Sequence, residues 1–369
     1  MKRLAVMISF SGDGGVERMV ANLCAEFVRY VHVDLLALKL EGGHAARIPE
    51  GVNVIPLKAR HSLTSVGEIA DYLGRAKPDA MLVAKDRAGR AALRARARAG
   101  LDAMPLFIRL GTNLSAALEK KNALSRWLRI APMRRAYRDV TGVVAVSDGV
   151  KDDTEKVTHL PRQRIHVIRN PVITPRLEEL ASEDAPHEWL QRKPLPVIVG
   201  MGRLTRQKGF DTLVRAFAEI QDGTPSRLIL LGEGQDREDL QELARSLRVH
   251  ERFLLAGFQG NPYSWLARAD LFVLSSAWEG SPNALTEALA LGVPCVSTDC
   301  PSGPNEILQQ GRYGPLVPVG DWERLANAMR ITLRTPKPAP VLREAVAEYR
   351  ADLSARRYLT LLGLLDGPT

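Results

Sequence analysis

Short apolar runs rich in β-branched residues alternate with longer amphipathic stretches along almost the whole of this 369-residue chain. Crossover helices bury a parallel strand on both faces, so it reads as a continuous apolar run and not as an apolar–polar alternation. Leu4-Ala5-Val6-Met7-Ile8 is such a run, and Val16, Met19, Val20, Leu23 and Phe27 recur behind it at helical spacing. Further strands are expected at 33–39, 52–55, 80–84, 105–109, 142–146 and 165–168. The pattern breaks at 174–196, where Pro175, Pro186, Pro194 and Pro196 and the acidic Glu178, Glu179, Glu183 and Asp184 make a poor core. It restarts at 197–199, 227–231, 253–255, 271–274 and 295–297.

The expected fold is therefore α/β, with two Rossmann-like doubly wound parallel-sheet domains facing a central cleft. The N-terminal domain covers 1–173, a linker 174–196 and the C-terminal domain 197–340; a helical segment at 341–369 is free to pack back on the first domain. Ligands of open α/β sheets bind beyond the carboxyl ends of the strands, so the residues that matter belong in the loops leaving them.

A hydrophobic fraction of 45% supplies two cores, and no apolar run approaches the roughly 20 residues that span a bilayer. Met1-Lys2-Arg3 and the apolar residues after it have the outline of a signal peptide. Gly12-Asp13-Gly14-Gly15 and the charged Glu17-Arg18 follow, however, where a cleavage site would need small residues. Cys24, Cys295 and Cys300 cannot all pair and lack metal or redox spacing, which fits a reducing cytoplasm. The net charge of +9 is uneven: residues 1–180 carry 30 Lys and Arg against 19 Asp and Glu, a balance of +11, leaving −2 for the rest. One domain is thus suited to a polyanion or an anionic membrane.

The most specific run is Ser275-Ser276-Ala277-Trp278-Glu279-Gly280-Ser281-Pro282-Asn283-Ala284-Leu285-Thr286-Glu287, continuing to Gly292. Ser281 suits an N-cap, Pro282 the first helical position and Gly292 the stop, giving a helix over 282–291. Glu279 then lies just ahead of the helix and Glu287 on it, while the free N–H groups of Asn283, Ala284 and Leu285 offer a site for a diphosphate. A second run, Gly200-Met201-Gly202-Arg203 to Lys208-Gly209-Phe210, leaves a strand and enters a helix. There Arg203 can fork onto phosphate oxygens and Lys208 can add a point charge, neutralising a diphosphate without a metal.

Both runs occur in one domain, in an order and spacing that resemble family 4 of the retaining glycosyltransferases, which have the GT-B fold. The resemblance extends nearly end to end. It includes Gly14-Gly15-Val16-Glu17-Arg18, Ala145-Val146-Ser147-Asp148-Gly149-Val150, Asn170-Pro171-Val172, Gly232-Glu233-Gly234 and Ser302-Gly303-Pro304-Asn305-Glu306. It implies a hexosyltransferase-type enzyme that uses a nucleotide-sugar, UDP- or GDP-linked, with no cofactor and no metal. Arg203 and Lys208 would hold the diphosphate, Glu287 the ribose hydroxyls and Glu279 the transferred sugar near its reacting carbon. Gly14 and Gly15 would approach the phosphates, and Gly202, Gly232, Gly234 and Phe258 would complete the donor contacts. Retention in such enzymes is attributed to front-face attack, so no general base is assigned. Many relatives carry a histidine on an N-domain strand-exit loop; the comparable stretch, Phe107 to Asn113, has none. Either Arg109 or Asn113 contacts the sugar there, with Ser147 nearby, or the loop merely turns.

Most of the excess charge lies at Arg87 to Arg98 and at Lys120, Lys121, Arg126, Arg129, Arg134, Arg135 and Arg138, the latter interleaved with Leu118, Leu124, Trp127, Leu128, Ile130 and Met133. This stretch suits a helix lying on an anionic leaflet, with Lys120, Lys121, Arg126, Trp127 and Arg129 in contact. The opposing reading is a helix whose apolar side packs on its own domain. Nucleic acid is disfavoured, because no recognised motif or stacking series accompanies the charge. The expected function is sugar transfer to a glycan or lipid-linked glycan acceptor in cell-envelope synthesis, in the cytoplasm or peripherally at the inner face of the plasma membrane. The alternatives are a sugar-nucleotide epimerase on the same fold and a basic binding protein without catalysis.

Overall fold

A computed structural model describes residues 1–11, 15–41, 48–59, 61–119 and 122–367. It divides into two units, Met1–Val172 with Glu348–Thr369, and Ile173–Ala347.

In the first unit β1 (Arg3–Ser11) is central, and Leu4, Val6 and Ile8 project into one core while Ala5 and Met7 project into the other. None of the five is more than 1% exposed, which is why the run lacks alternation. After it come α1 (Gly15–Phe27), β2 (His32–Glu41), β3 (Val52–Pro56), α2 (Val66–Ala76), β4 (Ala80–Ala84) and α3 (Asp86–Arg98). The unit continues through β5 (Leu106–Leu110), α4 (Leu114–Leu118), α5 (Ala123–Ala136), β6 (Gly142–Ala145), α6 (Asp148–Thr158) and β7 (Ile165–Val167). All seven strands are parallel, in the order β3-β2-β1-β4-β5-β6-β7. Asp34 on β2 is pinned from three sides, by Arg3 at 2.8 Å, Asn53 at 2.8 Å and Tyr72 at 2.7 Å. Burial raises its pKa, but these hydrogen bonds outweigh it and hold the carboxyl below its ordinary value.

The stretch expected as a linker is instead folded into the second unit, as α7 (Pro175–Ser182) and α8 (Glu188–Gln191). Pro175 occupies the first turn of α7, where its missing N–H has no partner to lose. Leu177 and Leu190 are buried, and Arg268 donates to the carbonyls of Ala181 at 3.2 Å and Glu183 at 2.6 Å. Pro175 thus marks a helix start here, not a loose tether.

Next come β8 (Val197–Met201), α9 (Phe210–Ile220), β9 (Arg227–Leu231), α10 (Arg237–Ser246), β10 (Phe253–Gly257), α11 (Tyr263–Leu266) and β11 (Leu271–Leu274). The unit ends with α12 (Asn283–Ala290), β12 (Cys295–Thr298), α13 (Pro304–Ile307), β13 (Leu316–Val317), α14 (Trp322–Arg334) and α15 (Ala339–Glu344). Its sheet is also parallel, ordered β10-β9-β8-β11-β12-β13. The two-residue β13 was not anticipated, being too short to make an apolar run. The chain then returns to the first unit as α16 (Ala351–Leu361), where Tyr358, Leu359 and Leu362 join the α1 side of the core. Phe27 meets Tyr358 edge-on, with ring centroids 6.2 Å apart.

Helix α5 buries only Met133 among its side chains. Leu124, Trp127 and Leu128 are 65%, 63% and 58% exposed, whereas Met133 is buried in the core of its own unit and Ile130 packs against it, so the apolar stripe is covered on its own unit at one end only. Lys120 and Lys121 lie outside the described residues.

Candidate active site

Strand order in the second unit reverses between β8 and β11, so the loops leaving these strands diverge and open a crevice at the carboxyl edge of the sheet. The two most specific sequence runs are those two loops. They are tied together: Ala277 N–H donates to Gln207 O at 2.8 Å, Gln207 Nε2 to Trp278 O at 2.9 Å, and Ser275 Oγ to Lys208 O at 2.8 Å. Gly209 makes this approach possible. It has φ +58°, and a Cβ there would stand 2.3 Å from Ser275 O.

The lacing sets two charges against each other. Lys208 Nζ lies 2.6 Å from Glu279 Oε1, and Ser276 Oγ donates to the same oxygen at 2.7 Å. Ser276 is itself held from behind, since Thr298 Oγ1 donates to its carbonyl at 2.6 Å. All of these side chains are buried or nearly so, with Lys208 and Glu279 only 17% and 8% exposed. The neighbouring Cys300 thiol is pushed up to about 12, first by burial and then by the Glu279 charge, so it is no nucleophile at neutral pH. Arg203, by contrast, is exposed and has no side-chain partner among the described residues.

Around this pair stand the glycine contacts. A Cβ on Gly202 would meet the Lys208 stem at 2.8 Å, and one on Gly232 would meet Gly202 O at 2.0 Å, so the loops after β8 and β9 lie backbone to backbone. Leu204 N–H donates to Glu233 O at 2.9 Å, carrying Gly234 into the same rim. Phe258, just past β10, exposes 56% of its surface. Glu287 is wholly buried on α12.

Two expectations about α12 need correction. Its N-cap is Pro282, not Ser281, and the helix runs over 283–290; the Ser281 hydroxyl is buried and caps nothing. Leu285 N–H donates to Pro282 O at 3.1 Å, so it is not free for an anion. Gly292 does stop the helix, with φ +78°.

In the first unit, Gly14 lies outside the described residues and Gly15 opens α1. Asn113 accepts from Ala116 N–H at 3.0 Å as the cap of α4, and the buried Ser147 accepts from Val150 N–H at 3.2 Å as the cap of α6. Ser147 therefore has a structural task and no surface to offer a sugar. Arg109 is 2% exposed and donates through Nη2 to Asn170 Oδ1 at 2.5 Å. Sequence reasoning missed Ser276, whose contact with Glu279 depends on the path of the turn between them. It also missed the Lys85–Glu17 pair at 2.8 Å, which links the first turn of α1 to the residue that precedes α3.

Two Rossmann-like units with this site at the switch point of the second define the GT-B class of glycosyltransferase folds. A family model described as "Glycosyl transferases group 1" matches residues 195–335 and one described as "Glycosyltransferase Family 4" matches 13–176. The chain belongs to family 4 of the glycosyltransferases. Among curated proteins it is 36% identical over 202 residues to the lipopolysaccharide core biosynthesis glycosyltransferase LpsE of Rhizobium meliloti, covering 54% of this chain and 56% of that one. It is 38% identical over 149 residues to an uncharacterized glycosyltransferase of Methanocaldococcus jannaschii, covering 40% and 37%. The chain thus spans about a third to just over half of the length of these two relatives. A longer match, 26% identical over 333 residues, joins it to the lipopolysaccharide 1,6-galactosyltransferase of Escherichia coli, covering 87% and 86%. Among solved structures it resembles the lipopolysaccharide outer core galactosyltransferase WaaB in its apo form, with TM-score 0.74, 20% identity and coverage of 99% and 100%. It likewise resembles Anabaena HepE in complex with UDP, with TM-score 0.78, 19% identity and the same coverage. At such identities the likeness is one of fold.

Proposed function

We propose that this chain is a retaining, hexosyltransferase-type glycosyltransferase that moves a sugar from a UDP- or GDP-sugar to a lipid-linked or polysaccharide acceptor of the cell envelope, without a metal. The observation that carries the proposal is the junction of Lys208, Ser276 and Glu279 at one carboxylate oxygen, beside the unpartnered Arg203 and the start of α12. The fold likeness to a UDP complex and the lipopolysaccharide relatives support donor and acceptor class respectively.

In this reading Arg203 forks onto the donor diphosphate, Lys208 adds its charge, and the amides of Asn283 and Ala284 take remaining oxygens. Glu287 accepts from the ribose hydroxyls. Glu279, fixed by Ser276, holds hydroxyls of the sugar. The bond from the anomeric carbon to the diphosphate oxygen breaks, and its electron pair goes to the diphosphate, where the two cations stabilise it. The acceptor hydroxyl attacks on the same face and a donor phosphate oxygen takes its proton, so no protein base is required.

The exposed Leu124, Trp127 and Leu128 among Arg126, Arg129, Arg134 and Arg135 support peripheral contact with an anionic leaflet. Arg126 itself donates to the carbonyls of Leu118, at 3.0 Å, and Glu119, which fixes the start of α5.

The test is calorimetric binding and turnover of a panel of UDP-, GDP- and ADP-sugars in a metal chelator, with the product anomer read by NMR. Binding of one nucleotide class and a product of unchanged anomeric configuration are expected. Strict metal dependence or an inverted product would overturn the corresponding element, and no binding across the panel would overturn the function.

A further inference from the structure

The last residue of β12 and the loop that leaves it, 298–303, meet the loop that carries Glu279 at three points. Thr298 Oγ1 donates to Ser276 O at 2.6 Å, and Glu279 N–H donates to Pro301 O at 3.3 Å. The third point is steric: Gly303, with φ +94°, lies so close to Pro282 that a Cβ on it would stand 2.5 Å from Pro282 Cδ. Ser276, Glu279 and the cap of α12 are therefore all placed by one stretch of chain.

Thr298 is the point at which this stretch is itself most firmly held. Ser297 pairs with Leu274 on β11, and Thr298 stands opposite Val317 on β13. Ser297 N–H donates to Pro315 O at 3.0 Å and Asp299 N–H to Val317 O at 2.7 Å, so the backbone is fixed on both sides of Thr298. The two-residue β13 thus does more than widen the sheet. Of the two carbonyls that the Thr298 hydroxyl can reach, Ser276 O at 2.6 Å is far closer than Leu274 O at 3.4 Å. Packing alone would be served by valine, which has the same branched shape and no hydroxyl to desolvate.

A hydroxyl has one proton to give. That of Ser276 goes to Glu279 Oε1 at 2.7 Å, the oxygen that Lys208 also holds. Thr298 and Ser276 are both 0% exposed, so solvent cannot replace either bond. Loss of the Thr298 hydroxyl leaves the Ser276 carbonyl buried without this donor, and a turn that shifts to relieve it carries the Ser276 hydroxyl away from the carboxylate. Resting on the glycosyltransferase reading above, we infer that Thr298 is a positioning residue for sugar transfer. It fixes Ser276, and through Ser276 the Glu279 carboxylate, while itself remaining wholly buried.

The test compares, in the full chain, Thr298→Val, which keeps the shape and loses the hydroxyl, with Thr298→Ser, which keeps the hydroxyl. Calorimetry reads the affinity for UDP, GDP and ADP. Turnover is read as hydrolysis of whichever UDP-, GDP- or ADP-sugar the parent cleaves fastest, a reaction that needs no acceptor. Thr298→Val is expected to lower kcat about tenfold, the scale of one hydrogen bond, and to leave nucleoside diphosphate affinity within about threefold. Thr298→Ser should restore most of the lost kcat. In a Ser276→Ala background, Thr298→Val should lower kcat by no more than about twofold further, because the route to Glu279 is already cut. A purely structural role would instead lower nucleotide affinity and turnover together, and its cost would multiply with that of Ser276→Ala. Either of those results, parent-like turnover in Thr298→Val, or no rescue by Thr298→Ser would overturn the inference. A parent chain that binds none of the three nucleoside diphosphates would overturn the glycosyltransferase reading, and this role with it.

Discussion

Arg203 and Lys208 differ in what holds them before any donor arrives. Lys208 is tied down by Glu279 at 2.6 Å, whereas Arg203 is exposed and must be ordered by its ligand. Either change to Ala is expected to remove about 3 kcal/mol of transition-state stabilisation, the scale of one preorganised donor, read as a fall in kcat/KM. Near-normal turnover in both variants would refute their assignment. Ser276→Ala should lower kcat about tenfold and leave nucleoside diphosphate affinity intact, because the hydroxyl acts only by orienting Glu279. Asp34 gives a separate pH test. Its pKa is held down in the folded state, so its contribution to stability is complete above the ordinary carboxylate value near 3.9 and is lost as pH falls through the folded value. Asp34→Asn should cost about 2 kcal/mol at neutral pH, measured by urea unfolding, and the difference from the parent should shrink in acid. The sequence placed Arg203, Lys208 and Glu279 in two loops at strand exits, and the structure joins those loops, since loop positions of this kind are legible from pattern. The Ser276 contact was not legible, because it depends on the path of a turn.

At the scale of elements, what could be read was whatever periodicity or a glycine enforces. Every strand but β13 follows from an apolar run, and Gly292 from the left-handed stop of α12. The start of α12 was misread because Ser281-Pro282 satisfies the sequence rule for a cap while the backbone begins its helix one residue later. The stretch 174–196 was misread because prolines that open helices and prolines that loosen a chain look alike without their packing partners. Gly209→Ala should destabilise the protein by about 2 kcal/mol, since its φ of +58° and the 2.3 Å approach to Ser275 O cannot both accommodate a methyl group. An unfolding midpoint equal to that of the parent would show that the loops can separate. For α5, changing Leu124, Trp127 and Leu128 to Ser should abolish sedimentation with anionic vesicles without lowering stability, because these side chains touch no core. Attraction of this kind decays over a Debye length, so the parent should also be released by salt; binding that survives both treatments would place the contact elsewhere.

Across the whole molecule the charge is uneven, with a balance of +11 over residues 1–180 and −2 over the remainder. Residues after β13 also serve the first unit: α16 supplies Tyr358 and Leu359, and Leu362 follows it, in the core that contains Phe27. Deleting residues 351–369 should therefore lower the unfolding midpoint of the first unit while the second still binds nucleoside diphosphate. The separation of roles within the donor site is the most exposed part of this reading, because Glu279 and Glu287 stand on either side of the start of α12. Calorimetric titration of the nucleoside diphosphate, paired with transfer rates, should show Glu287→Ala weakening binding at least tenfold. Glu279→Ala should leave binding within about threefold while transfer falls by about a hundredfold or more, the scale of a lost preorganised contact. Equal losses of nucleotide affinity in both variants, or transfer that persists without Glu279, would contradict a donor site built in this way.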